Sequence, residues 1–198
     1  MLDKQVLLDM DGVLVDFTKG ACSFHGVRNP YTKNSPNKSR YEIWEYFLLT
    51  FEEFFQGMDE EFWAGLPKTD EADDIVDMLD DHVGLHNVCA LSHAVNSPGI
   101  HEGKVRWMNK HYPDIPVLIS SASANHDAPP KHFLAAKNRL LIDDHQDNVL
   151  RFVEHGGCGV TVPRPWNDYH HKEDEGIEHI KAGLASFLSE TEVDMSSM

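Results

Sequence analysis

Two aspartates one residue apart, Asp9-Met10-Asp11, follow the apolar run Val6–Leu8 and precede Gly12. At the mouth of a strand such a pair can face one crevice. Two carboxylates side by side repel each other unless a cation lies between them, so the pair points to a divalent metal. Oxygen-only ligands with a phosphate partner make Mg2+ the expected ion rather than Zn2+. A second pair, Asp143-Asp144, closes the apolar run Leu140–Ile142. Adjacent strands of a parallel sheet bring both pairs to one edge, so four carboxylates are expected to converge. A surface turn explains one acidic pair; two, each directly behind an apolar run, are harder to account for that way. Ser92 ends a third run, Asn87–Leu91, where its hydroxyl and the backbone N–H groups after it, beginning at His93, are placed to hold a phosphate oxygen. A lysine is needed beside the transferring group. Lys131, after Pro129-Pro130, is the preferred candidate. Lys137 is nearer the acidic run but falls in a short polar turn, Lys137-Asn138-Arg139, and is the alternative.

The elements that must position these residues recur along the chain. Short β-rich runs stand at Gln5–Asp9, Asn87–Leu91, Pro116–Ser120, Arg139–Asp143 and Gly159–Val162, and helical periodicity stands at Glu71–His82, Ile100–His111 and Asn148–Glu154. Strands alternating with helices imply an α/β fold, a Rossmann-like doubly wound parallel sheet whose ligands bind beyond the carboxyl ends of the strands. Between Thr18 and Lys68 the alternation stops. A polar loop, Asn29–Arg40, leads into an aromatic-rich helical stretch with Trp44, Tyr46, Phe47, Phe51, Phe54, Phe55, Phe62 and Trp63. This predicts a small helical cap over 18–67, inserted after the first strand into a core of 1–17 and 68–190. Most of its aromatics are expected to form its own small core. Residues 191–198 are polar and expected to fray.

Composition narrows the partners. The 198 residues carry 17 Lys and Arg against 33 Asp and Glu, a net charge of −16, which disfavours duplex nucleic acid and anionic membranes. Three scattered cysteines without metal spacing suggest a reducing, cytoplasmic setting. No signal-peptide pattern and no run long enough to span a bilayer is read, so a soluble protein is expected. The thirteen histidines show no zinc-ligand spacing.

The order Asp9-x-Asp11-Gly12-Val13, strand-Ser92, Lys131, strand-Asp143-Asp144 resembles the haloacid dehalogenase superfamily over nearly the whole chain. The resemblance implies Asp9 as nucleophile, Asp11 as general acid and base, Ser92 on phosphate, Lys131 steadying both, and Asp143 and Asp144 holding Mg2+ together with Asp9 and the backbone carbonyl of Asp11. Asp144 is then the direct ligand and Asp143 stands behind it. A closer resemblance is to the 5′(3′)-deoxyribonucleotidases, through Asp9–Leu14 followed by Asp16-Phe17, Trp44 in the cap, Phe62–Pro67, Lys104-x-x-Trp107 and Leu140–Asp144. It implies Phe17 stacking on the base, Trp44 lining the pocket, and substrate contacts at Ser92, His93 and Lys104. His145 stands where that family often has Arg, and the stretch Ser120–Pro130 before the lysine is long. The expected activity is Mg2+-dependent hydrolysis of a deoxyribonucleoside monophosphate, with a homodimer compatible. The alternatives are a phosphatase for a sugar phosphate or other small monoester, and a non-catalytic binding protein.

Overall fold

The computed structural model describes residues 4–31, 40–95, 97–121 and 130–189. Most of the loop expected at 29–40, most of the long stretch before Lys131, and the polar tail 191–198 lie outside the described residues. Five strands, β1 (Gln5–Leu8), β2 (Val88–Ala94), β3 (Val117–Ser121), β4 (Arg139–Asp143) and β5 (Cys158–Thr161), form one sheet of order β3-β2-β1-β4-β5, parallel throughout. The chain starts at the centre, moves outward through β2 to β3, then crosses back over to β4 and β5. That reversal beside β1 opens a crevice at the carboxyl end of the sheet.

Side chains alternate across the sheet, so one strand serves two cores. Val6, Leu8, Leu140 and Ile142 join the larger core with Ile75, Leu79, Trp107, Ile180, Leu184 and Phe187. Leu7, Leu91 and Leu141 face the other way onto Phe152. The helices that carry these residues are α5 (Ala72–Val83), α6 (Ile100–His111), α7 (Gln146–Glu154) and α8 (Gly176–Ser189). Helix α8 has no counterpart in the sequence reading, although Ile180, Leu184 and Phe187 recur at the spacing of a buried helical face. Helix α7 begins two residues before the expected Asn148. Strand β2 runs three residues past its expected end at Leu91, because Ser92, His93 and Ala94 pair with Ile119, Ser120 and Ser121 of β3.

Between β1 and α5 lie four short helices, α1 (Phe17–His25), α2 (Ile43–Tyr46), α3 (Phe51–Phe55) and α4 (Glu60–Ala64). The chain leaves and returns at one place. Val15 bridges Lys68, Asp16 N donates to Pro67 O at 2.9 Å, and Thr69 N donates to Leu14 O at 3.0 Å. Helix α1 starts where Asp16 Oδ1 accepts from Lys19 N at 2.9 Å, an N-cap of the usual acidic kind. Helix α4 is fastened to α6. A side-chain carbon at Gly103 would come within 2.8 Å of Glu60 O, so the two backbones meet where glycine permits it. Buried Trp107 of α6 donates its indole N–H to Leu66 O at 2.8 Å and closes the same seam. Among the described residues no helix is long and apolar enough to cross a membrane.

Candidate active site

The parallel register builds the floor of the site. Leu8 pairs with Ile142, which sets the next residues, Asp9 and Asp143, level at the carboxyl edge. Asp9, Asp143 and Asp144 are all buried, and each brings an oxygen within 4.8 Å of the other two. Asp11 is the departure from the expected convergence of four carboxylates. The chain turns sharply after Asp9, with Val13 N, Leu14 N and Val15 N all directed at Met10 O, and this swings the Asp11 side chain out of the group. Asp11 Oδ2 is instead ion-paired with Lys104, and its Oδ1 is buried without a hydrogen-bond partner.

Two lysines divide the floor. Lys131 Nζ lies 2.7 Å from Asp9 Oδ1 and 2.7 Å from Asp143 Oδ2, placed there by the short 3-10 turn Lys131–Leu134. Lys137 is exposed in the turn beyond, so of the two candidates it is Lys131 that meets the carboxylates. Lys104, 2 % exposed on α6, donates to Asp11, to Ser92 Oγ at 2.7 Å and to His93 O at 2.8 Å. Ser92 is therefore inside β2 and fully buried, its hydroxyl taken by Lys104; His93 and Ala94, rather than Ser92, line the cleft above.

One ammonium among three buried carboxylates is too little charge. Burial pushes Asp9 up to about 7, with Asp143 and Asp11 adding to the rise and Lys131 opposing it. Burial likewise drives Asp144 well above the ordinary carboxylate range, helped by Asp143 and Asp9. Lys131 goes the other way: burial works against its charge, but Asp143 and Asp9 outweigh burial and hold it above the usual lysine value. Three ionised carboxylates with one ammonium leave two negative charges uncompensated, and the donors are all oxygen. This set fits a hard divalent cation.

The remaining oxygens are assigned by neighbours. Asp9 Oδ1 accepts from Met10 N at 2.8 Å as well as from Lys131, which leaves Oδ2. Asp143 is engaged on both sides, Oδ1 by His145 N at 2.8 Å and Oδ2 by Lys131 and by Asn148 Nδ2 at 3.2 Å. Asp144 Oδ2 accepts the Trp166 indole N–H at 2.6 Å, and Asn167 Nδ2 holds Asp144 O at 2.9 Å. Arg164 Nε reaches Gly12 O at 2.5 Å and so ties down the turn after Asp9. Gly12 has φ 76°, and any side chain there would collide with Asp144 Oδ2, so both backbone shape and space require glycine. Arg164, Trp166 and Asn167 were not singled out from sequence. Their one signal is position, just past the last strand of a parallel sheet.

Above the floor opens a cleft of about 360 Å³, reached by Asp11, Lys104 and Asp144 and walled by rings of the inserted helices. Phe17 and Trp44 both line it, but differently. Phe17 is stacked on Trp63, with centroids 5.5 Å apart and planes 7° apart, and is further packed by Phe54, Phe55 and Phe62. Trp44 meets Phe51 at 84° and Phe54 at 57°, so neither of these rings lies stacked parallel on it. Tyr41 and Trp166 add rings that sequence reading left aside, and His145 meets the Tyr41 ring edge to face at 4.3 Å.

No family model and no curated protein sequence matches the chain. Solved structures do match, at low identity. A predicted phosphatase from Clostridium acetobutylicum is 12% identical with a TM-score of 0.53, the match covering 89% of this chain and 92% of that one. A haloacid dehalogenase family hydrolase from Deinococcus radiodurans R1, solved with bound phosphate and sodium, is 13% identical with a TM-score of 0.53 over 93% and 96%. An L-2-haloacid dehalogenase from Xanthobacter autotrophicus, with chloropropionic acid covalently bound, is 13% identical with a TM-score of 0.50 over 87% and 82%. Phosphatase and dehalogenase thus share the architecture, which by itself does not choose between their reactions. The five-stranded parallel sheet with its flanking helices is the Rossmann-like fold of the haloacid dehalogenase-like hydrolases.

Proposed function

We propose that the protein is a phosphomonoesterase that works with a divalent cation, expected to be Mg2+, through a covalent phosphate on Asp9. The observation that carries this reading is the asymmetry between the two aspartates of Asp9-Met10-Asp11. Asp9 lies in the carboxylate cluster with Oδ2 free, whereas Asp11 stands outside it at the mouth of the cleft. A nucleophile and a separate proton carrier are what an ester needs, because an alkoxide leaves poorly without a proton. A halide needs no such proton, so a second carboxylate held apart from the cluster would have no proton to carry in dehalogenation. The dehalogenase reaction is therefore disfavoured.

In this reading Asp9 Oδ2 attacks phosphorus while Lys131 and Met10 N fix the orientation of the carboxylate through Oδ1. Asp11 in its protonated form gives a proton to the departing oxygen, and as the carboxylate paired with Lys104 it then takes one from the water that cleaves the Asp9 phosphate. Lys104, held by buried Ser92, is shared between Asp11 and the incoming phosphate oxygens. Asp9 and Asp144, with Asp143 behind them, would hold the cation, whose charge would neutralise the phosphoryl oxygens. Helices α1 to α4 act as the cap that shelters the site from water.

For the substrate we propose a nucleoside monophosphate, in particular a deoxyribonucleotide, as the resemblance to deoxyribonucleotidases implies. A cleft walled by Trp44, Phe17, Tyr41 and Phe51 suits a flat base, and Trp44 offers the better stacking face. A smaller ester remains the second reading, favoured by Phe17 lying stacked against Trp63 as part of the aromatic packing. Assaying purified protein with Mg2+ against dTMP, dUMP, AMP, a hexose phosphate and p-nitrophenyl phosphate separates the two. Preference for the deoxyribonucleotides supports the first reading. Equal or better turnover of the hexose phosphate supports the second, and no phosphate release from any of them contradicts both.

A further inference from the structure

The three carboxylates of the floor share a restriction. Asp9 Oδ1 is engaged by Met10 N and Lys131, and Asp143 by His145 N, Lys131 and Asn148. Asp144 is engaged at Oδ2 by Trp166 at 2.6 Å, with the same oxygen pressed against Gly12. Trp166 lines the cleft and is held there from its other side. Its ring packs on Tyr31 with centroids 5.1 Å apart, and its neighbours Arg164 and Asn167 are bonded to Gly12 O and to Asp144 O and Val162 O. Among the described residues, the Trp166 indole is the side chain that hydrogen-bonds the Asp144 carboxylate.

We infer that Trp166 is a positioning residue that sets which divalent ion the site prefers, by leaving Asp144 a single oxygen to give. Mg2+ is small, demands near-octahedral geometry and takes carboxylates one oxygen at a time, whereas Ca2+ accepts more oxygens and readily takes both from one carboxylate. An indole N–H on Oδ2 suits the first ion and denies the second its extra ligand. The hydrogen bond also orients Asp144, and such supporting contacts commonly govern metal affinity. The inference rests on Asp9, Asp143 and Asp144 being the cation site.

The test is a calorimetric titration of wild type and Trp166→Phe with MgCl2 and, separately, CaCl2, with no substrate present. The phenyl ring keeps the packing on Tyr31 and removes only the N–H donor and part of the ring. Mg2+ affinity is expected to fall about tenfold while Ca2+ affinity holds or rises, so that the preference for Mg2+ shrinks by at least about fivefold. Equal losses for both ions, or no loss for either, overturn the role given to Trp166 while leaving the cation site standing. No binding of either ion to wild type overturns the site and the inference together. Wild type alone supplies a second measurement that does not depend on the variant folding. In 15N spectra the Trp166 indole N–H is expected to stay protected from solvent exchange when Mg2+ is added, and its release by Mg2+ overturns the inference.

Discussion

The floor and the wall of the cleft are built on different principles. The floor is polar, and each of its three clustered carboxylates is fixed through at least one oxygen by a named donor on a strand end, a turn or the loop after β5. The wall is apolar, and its rings are placed by one another, Phe17 against Trp63, Trp44 against Phe51, Phe54 against Phe55. Donor-defined positions tolerate almost no substitution, because a lost partner leaves a buried charge behind. Ring-defined positions tolerate repacking at modest cost. In the proposed function, chemistry therefore belongs to the floor and substrate preference to the wall.

The largest effect that would break this division is a floor substitution that spares turnover. Asp9→Asn is expected to lower kcat by at least about ten-thousandfold while the protein remains folded, as measured by phosphate release and circular dichroism. Lys131→Met is expected next, with loss of activity and, without metal, destabilisation by about 3–5 kcal/mol in urea unfolding, because the ammonium shared by Asp9 and Asp143 is gone. A loss below about 1 kcal/mol would show that Lys131 is not what compensates the cluster.

A pH series sharpens the same point. The folded protein holds Asp9 at about 7 against 3.8 for an ordinary aspartate. Between those values the folded state binds more protons at Asp9 than the unfolded state does, so stability from this group falls as pH rises. It is fully present below about 4 and lost by about 7. With EDTA present, the melting temperature of Asp9→Asn minus that of wild type should therefore grow as pH goes from 4 to 7. A difference that stays flat across the window would show that the Asp9 environment is not charge-starved.

At the wall the effects are smaller and selective. Trp44→Ala is expected to lower kcat/KM for a nucleoside monophosphate by about five- to a hundredfold, the worth of one stacked base, with p-nitrophenyl phosphate much less affected. Phe17→Ala should instead lower the melting temperature and weaken both substrates together, since Phe17 is stacked within the aromatic packing. A reversed pattern between the two variants would exchange their roles.

The floor was more legible than the wall, for a physical reason. Asp9 and Asp143-Asp144 follow apolar strands, and in a parallel sheet the order of strand ends alone brings them together. Helix α6 and strand β4 have the limits their periodicity implies, Ile100–His111 and Arg139–Asp143. What sequence left out depends on tertiary partners. Ser92 reads as a strand end because Ser92 and His93 break the apolar run, yet the pairing continues through Ala94 on β3 and Lys104 takes the Ser92 hydroxyl. Asp11 was grouped with the other carboxylates by spacing, but the turn at Met10 directs it to Lys104. Trp166 and Asn167 act on Asp144 from more than twenty residues away, which no local pattern encodes. The resemblance gave the stacking role to Phe17 and the lining role to Trp44, and the rings packed around Phe17 could not be read from sequence.

The central claim is that Asp9 carries the phosphoryl group and Asp11 the proton. It is tested most directly by mixing Asp11→Asn with a deoxyribonucleoside monophosphate and Mg2+, quenching in acid, and mapping phosphate on the peptides by mass spectrometry. The account predicts phosphate on Asp9, released by hydroxylamine as an acyl phosphate should be, and absent when Asp9→Asn is added to the same protein. Nucleoside released with no phosphate on Asp9 at any quench time, or phosphate found on another residue, would contradict it.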